Sequence, residues 1–126
     1  PGNPVDGEPF LDAGVVQWNF RDKKLHGDPM RFLDPTTLDF GLVNRVEMYD
    51  QVRYRYIVYV EGHCAASRYA SMMKMGSVIL KVDSLTKAKD IWYFPLLRPW
   101  EDHVPVAADM SDLAERIRWC KTHDEE

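Results

Sequence analysis

The sequence predicts an α/β fold, a small parallel sheet flanked by helices, and three observations carry that prediction. Residues 54–60 alternate in strand fashion with both sides of 56–60 largely apolar, and residues 77–82 read as a second buried strand. Between them Ala65, Ala66, Tyr69, Met72 and Met73 recur at helical spacing. Strand, helix and strand joined by short turns make one βαβ unit, whose crossover is nearly always right-handed.

Taken in order, residues 1–10 hold three prolines within the first nine positions and read as a flexible tail. The expected domain is 11–126, a length that suits one compact core when 45% of residues are hydrophobic. Val15, Val16, Trp18 and Phe20 follow Gly14 and predict a strand near 14–20. Residues 21–37, punctuated by Gly27, Pro29 and Pro35, predict loop, and residues 43–51 a short helix.

Tyr56 to Val60 is expected to be a central parallel strand, because both of its sides are largely apolar. The helix that follows is expected to end at Gly76, in the left-handed position that closes many helices. Ser77, Val78, Ile79, Leu80, Lys81 and Val82 form the second strand. Pro95, Pro99 and Pro105 with Trp92, Tyr93, Phe94 and Trp100 predict an ordered loop with a short helix. Val104, Pro105 and Val106 suit an edge strand, where a missing N–H is tolerated. Asp109 or Ser111 is expected to cap a last helix whose inner face is Leu113, Ala114, Ile117 and Cys120.

The chemistry is expected at the turn after the first strand. Glu61, Gly62, His63 and Cys64 lead into a helix start, where free N–H groups and the positive end of the helix dipole attract anions. Ala65 and Ala66 are small enough for a diphosphate to approach the backbone. Arg68 in the first turn opposes the dipole by roughly 0.3–1 kcal/mol unless an anion offsets it. Spacing alone leaves open, and favours, a pairing of Arg68 with Glu61 or a solvated position. Lys81, Asp83 and Ser84 close the second strand, within reach of a ribose or base or simply turning the chain. Neither GxGxxG nor GxxxxGK is present.

Several separated blocks resemble one known family. They are residues 59–69, then Gly76 to Lys81, then Pro95-Leu96-Leu97-Arg98-Pro99-Trp100 with His103-Val104-Pro105-Val106, then Asp109 to Leu113 and finally Trp119 to Glu126. Their order is similar to the C-terminal part of the CAP10-type glycosyltransferases, which include the protein O-glucosyltransferases. The resemblance implies a Rossmann-like half of a two-domain GT-B enzyme that holds a UDP-sugar donor, with no metal cofactor. It implies that His63, Cys64, Ala65, Ala66, Ser67 and Arg68 contact the nucleotide sugar, with the arginine on the diphosphate; Gly62 in the same turn, and Lys81, Asp83 and Ser84 at the end of the second strand, join the candidate site by position alone. A protein or glycan hydroxyl would be the acceptor, in the lumen of the secretory pathway. Met75 replaces a cysteine that some luminal relatives carry, which removes one disulfide the family would suggest.

The chain, beginning with Pro1-Gly2-Asn3-Pro4 and ending on Asp124-Glu125-Glu126, is expected to be a piece of something longer, and the family's catalytic base is an aspartate of an N-terminal half to which no segment here corresponds. That half, or a partner subunit, is the expected complement, and no catalytic residue is assigned. Asp83 and Asp102 read as loop acids rather than bases. The rival expectation is a non-catalytic structural or interaction subunit derived from such a domain.

Other classes fit less well. A net charge of −4 argues against a nucleic-acid partner. No apolar run approaches the roughly 18–20 residues needed to span a bilayer, so no membrane span is expected. Cys64 and Cys120 form no CxxC pair, and Cys120 with His123 lacks the further ligands a zinc site needs. His103 reads as structural, because it and Asp102 would point to opposite faces of a strand. Met72, Met73 and Met75 read as core filler. Arg53, Tyr54, Arg55 and Tyr56 read as a core strand entering from a solvated edge.

Overall fold

The computed structural model describes residues 11–17, 36, 39–61, 68–84 and 91–124. The expected tail at 1–10, most of the expected loop at 21–37, and Trp18 and Phe20 of the first expected strand lie outside the described residues. The chain divides into two compact units, Pro1–Val46 and Glu47–Glu126.

In the first unit Val15 is bridged in parallel to Leu42, and the Val43 N–H donates to the Val15 carbonyl at 2.9 Å. A Cβ on Gly14 would stand 2.4 Å from a Val43 methyl carbon, so the close approach of these two segments requires glycine there.

Among its described residues the second unit is built on three parallel strands, β1 (Tyr56–Tyr59), β2 (Val78–Val82) and β3 (Val104–Val106), in spatial order β1-β2-β3. Two helices flank them, α1 (Arg68–Met72) and α2 (Leu113–Thr122). The α/β class read from the sequence is therefore the observed one, consistent with a Rossmann-like half-domain. The central strand, however, is β2, and β1 lies at an edge of the described sheet with three of its four residues only half-buried. An apolar pattern on both faces reports covering above and below, not neighbours on either side, so it does not fix lateral position.

The parallel register sorts side chains by face. Tyr59, Ile79 and Ile57 point to one side, where they pack with Tyr69 and Met72 of α1 and with Phe94. Phe94 opens a short 3-10 helix, Phe94–Leu96, in the crossover from β2 to β3. Both crossovers thus lie on one face, as two right-handed connections advancing in the same direction require. Leu80, Val82, Val104 and Val106 point to the opposite side and are buried there, as are Leu113, Ile117 and Cys120 of α2, which lies against β3.

Local chemistry explains the ends of these elements. α1 tightens into 3-10 bonding, with Lys74 N–H to Ser71 and Met75 N–H to Met72, before Gly76 at φ 76 turns the chain into β2. The helix expected at 43–51 is instead a 3-10 helix at Met48–Arg53 with no buried residue, since Met48, Tyr49 and Val52 present no continuous stripe to a core. The expected cap of α2 is also corrected. Asp112 holds the cap position without capping, because its carboxylate accepts the Ala107 N–H at 2.9 Å and the Arg116 Nε at 3.0 Å. Asp109 accepts the Ser111 N–H at 3.0 Å, a local turn that precedes the helix.

Trp100 adopts φ 69 in the turn before β3, a left-handed conformation costly for a bulky side chain. Its ring is held at 5.0 Å by the Arg116 guanidinium and edge-on at 5.0 Å by Trp119, which in turn stacks on His123 at 4.4 Å.

Candidate functional site

β1 and β2 end side by side, with Tyr59 opposite Lys81. Opposed residues of a parallel pair project from the same face, so both side chains emerge on the side covered by α1. The carboxyl edge of an open parallel sheet is where ligands of α/β folds bind.

α1 returns Arg68 to this edge. Its Nη2 donates to the carbonyl of Val60, the residue directly after β1, at 2.5 Å, and its guanidinium carbon lies 5.6 Å from the centroid of the Tyr59 ring. A guanidinium carries five donors. One bond to Val60 and the ring beneath orient the exposed group and leave further donors for a ligand. Of the two alternatives that spacing favoured, the pairing with Glu61 is not the contact observed, whereas the solvent-exposed position is.

Lys81, next to last in β2, is half-buried, with its Nζ 4.5 Å from the centroid of Phe94. The rings beneath the two cations form one aromatic floor. Tyr59 and Phe94 pack edge to face at 6.1 Å, and Tyr69 packs edge-on against both, at 4.9 and 5.3 Å. Neither Arg68 nor Lys81 forms an ion pair among the described residues. Exposed Asp83 follows β2 and donates its backbone N–H to Val106 at 2.9 Å, prolonging the ladder, and half-buried Ser84 comes next.

His103 stands just before β3 on the same side. Its Nδ1 is buried with no hydrogen-bond partner among the described residues. Burial holds its pKa below the ordinary 6.5, Lys81 pushes it further down, and Asp102 and Asp83 oppose the shift. A neutral imidazole therefore neighbours Lys81 near neutral pH. Asp102 is committed to its own turn, accepting the Arg98 N–H at 2.7 Å. Among the described residues no group of three His, Cys, Asp or Glu is placed to hold a metal ion, and no helix is long and apolar enough to cross a membrane.

Of the residues singled out in the sequence, Arg68, Lys81, Asp83 and Ser84 gather at the carboxyl ends of β1 and β2. Gly62, His63, Cys64, Ala65, Ala66 and Ser67 lie outside the described residues. Sequence reasoning missed Tyr59 and Phe94 as supports of the two cations. The cross-strand register that sets Tyr59 opposite Lys81 leaves no local trace in the sequence, although the aromatic cluster around Phe94 is visible.

Comparison with known proteins gives this edge a context. The family model described as Glycosyl transferase family 90 matches residues 13–126. The chain is 43% identical over 116 residues to uncharacterized protein 035R of Invertebrate iridescent virus 3, covering 91% of this chain and 10% of that protein. It is 38% identical over 119 residues to protein O-glucosyltransferase 2 of Danio rerio, covering 93% of this chain and 21% of the relative. Identity to human protein O-glucosyltransferase 3 is 32% over 117 residues, covering 93% and 20% respectively. The chain thus spans between a tenth and about a fifth of the length of these relatives.

Proposed function

This chain belongs to glycosyl transferase family 90, and on that premise we propose that it holds the UDP-sugar donor of an inverting glycosyltransferase. The expected kinship with the CAP10-type and protein O-glucosyltransferases is thereby borne out. The donor is a UDP-hexose or UDP-pentose such as UDP-glucose or UDP-xylose, and the acceptor is a protein or glycan hydroxyl. The rest of a GT-B enzyme, or a partner subunit, supplies the acceptor site and the carboxylate base that such a transfer needs. The setting is the secretory-pathway lumen, and no metal is required.

One observation carries this reading: the exposed Arg68 guanidinium is fixed at the carboxyl end of β1 by the Val60 carbonyl and the Tyr59 ring. A planar guanidinium suits phosphate oxygens, and charge-assisted bonds to them are about twice as strong as neutral ones. Here it would hold the diphosphate and favour its departure as negative charge develops on the leaving group.

Thermal-shift titration of the 126-residue chain with UDP, UDP-glucose and UDP-xylose tests the reading. The expected result is a concentration-dependent rise in melting temperature that Arg68→Ala abolishes. An unchanged melting temperature at millimolar UDP, together with a stable complex with another protein, would instead identify a structural subunit.

A further inference from the structure

From the aromatic floor we infer that Lys81 is a second cation of the same site, so that Arg68 and Lys81 form a two-point seat for a diphosphate. The inference rests on the donor-site reading for the identity of the natural ligand, but its geometry is independent of the nucleoside. Arg68 lies over Tyr59 and Lys81 over Phe94, at 5.6 and 4.5 Å, and the two rings are themselves in edge-to-face contact. Tyr59 is also the cross-strand partner of Lys81. Two cations arriving from different elements, α1 and β2, therefore rest on adjoining rings of one buried cluster.

Two like charges brought to one edge repel each other unless an anion joins them. Neither lies within ion-pair distance of a carboxylate among the described residues, on a chain whose overall charge is −4. Ring faces attract cations and limit their rotamers without neutralising them, so the floor orients both groups while their charge stays available. A diphosphate, with charge on two adjacent phosphoryl groups, matches two cations better than a single phosphate or an uncharged ribose does. Lys81 is thereby assigned to the phosphates, rather than to the ribose or base that its place at the end of β2 also permits.

Titration calorimetry of the full 126-residue chain with inorganic pyrophosphate, UDP and uridine decides the matter. Lys81→Met is expected to weaken pyrophosphate and UDP by about tenfold or more, equivalent to about 1.4 kcal/mol, and to leave uridine unchanged. Lys81→Arg, which retains the charge, is expected to stay within a few-fold of the parent, and its melting curve and that of Lys81→Met establish that both variants fold. Equal pyrophosphate binding by the parent chain and Lys81→Met, no pyrophosphate binding by the parent, or a loss on uridine as large as that on UDP overturns the two-cation seat. Pyrophosphate binding that depends on both cations, with UDP no tighter than pyrophosphate, upholds the seat while sinking the nucleotide-sugar reading.

Discussion

Tyr56 and Asp124 fasten the first strand of the sheet to the end of the outer helix. The Tyr56 phenol donates to the Asp124 carboxylate at 2.5 Å, with the Cys120 carbonyl a second acceptor 3.2 Å from the same hydroxyl, while Arg55 forms an ion pair with that carboxylate. Sixty-eight residues of chain separate the two partners, so this contact closes most of the second unit.

Tyr56→Phe is expected to lower stability by about 1 kcal/mol, the net worth of a partly solvated hydrogen bond to a charged group, as read from denaturant melts at pH 7. Burial first, and then the bond to Asp124, raise the Tyr56 pKa from 10.0 to about 12. Between those values the unfolded chain releases a proton that the folded chain keeps, so stability falls as pH rises above 10. The variant should show a shallower decline over that window than the parent chain, and an identical decline would show that Tyr56 does not hold its proton as described.

His103 gives the opposite slope. Its folded pKa lies below the ordinary 6.5 because of burial and then Lys81, so the unfolded chain binds the proton first as pH falls. Stability is fully present above 6.5 and declines as the pH drops through that value toward the folded pKa. Melting temperatures measured from pH 8 to pH 5 should fall less steeply for His103→Gln than for the parent. Equal slopes would exclude His103 as the source.

Tyr69 is fully buried, and its hydroxyl has no hydrogen-bond partner among the described residues. Removing a buried, unsatisfied donor costs nothing in lost bonds and lifts a desolvation penalty. Tyr69→Phe should leave stability unchanged or raise it. A loss above about 1 kcal/mol would reveal a partner for the hydroxyl.

Gly76 has φ 76, and an added Cβ would meet nothing within 4 Å. Any penalty at this position is therefore conformational, without a steric component. Gly76→Ala should cost about 1–2 kcal/mol, measurable by chemical denaturation, and Gly76→Asn less, because asparagine tolerates the left-handed region better.

Much of this architecture was legible because the relevant signals are local. The apolar runs around Ile57 and Ile79, the helical spacing of Tyr69 and Met72 and the glycine at 76 each act within one turn or strand, and the sheet, α1 and its closing turn follow from them. The start of α2 was misread at Asp109 and Ser111, because Asp112 holds the cap position and commits its carboxylate to Ala107 and Arg116, and a competition between nearby acceptors has no signature in residue type. The place of β1 at an edge of the described sheet was not anticipated, because lateral neighbours are set by long-range pairing. At the site, the place of Arg68 just beyond the first strand was visible as a charge following a strand and turn, although spacing alone favoured a pairing with Glu61 or a solvated side chain. The supporting roles of Tyr59 and Phe94 were not visible, since they arise from cross-strand register and from a crossover that folds back beneath Lys81.

Trp100 places two demands on one position that no single residue type meets together. Glycine would relax the left-handed backbone but delete the ring that Arg116 and Trp119 grip, whereas phenylalanine would keep a ring and keep the strain. Substitution there trades one defect for another, so the turn leading into β3 ties its backbone conformation to a ring contact that a single change cannot satisfy separately.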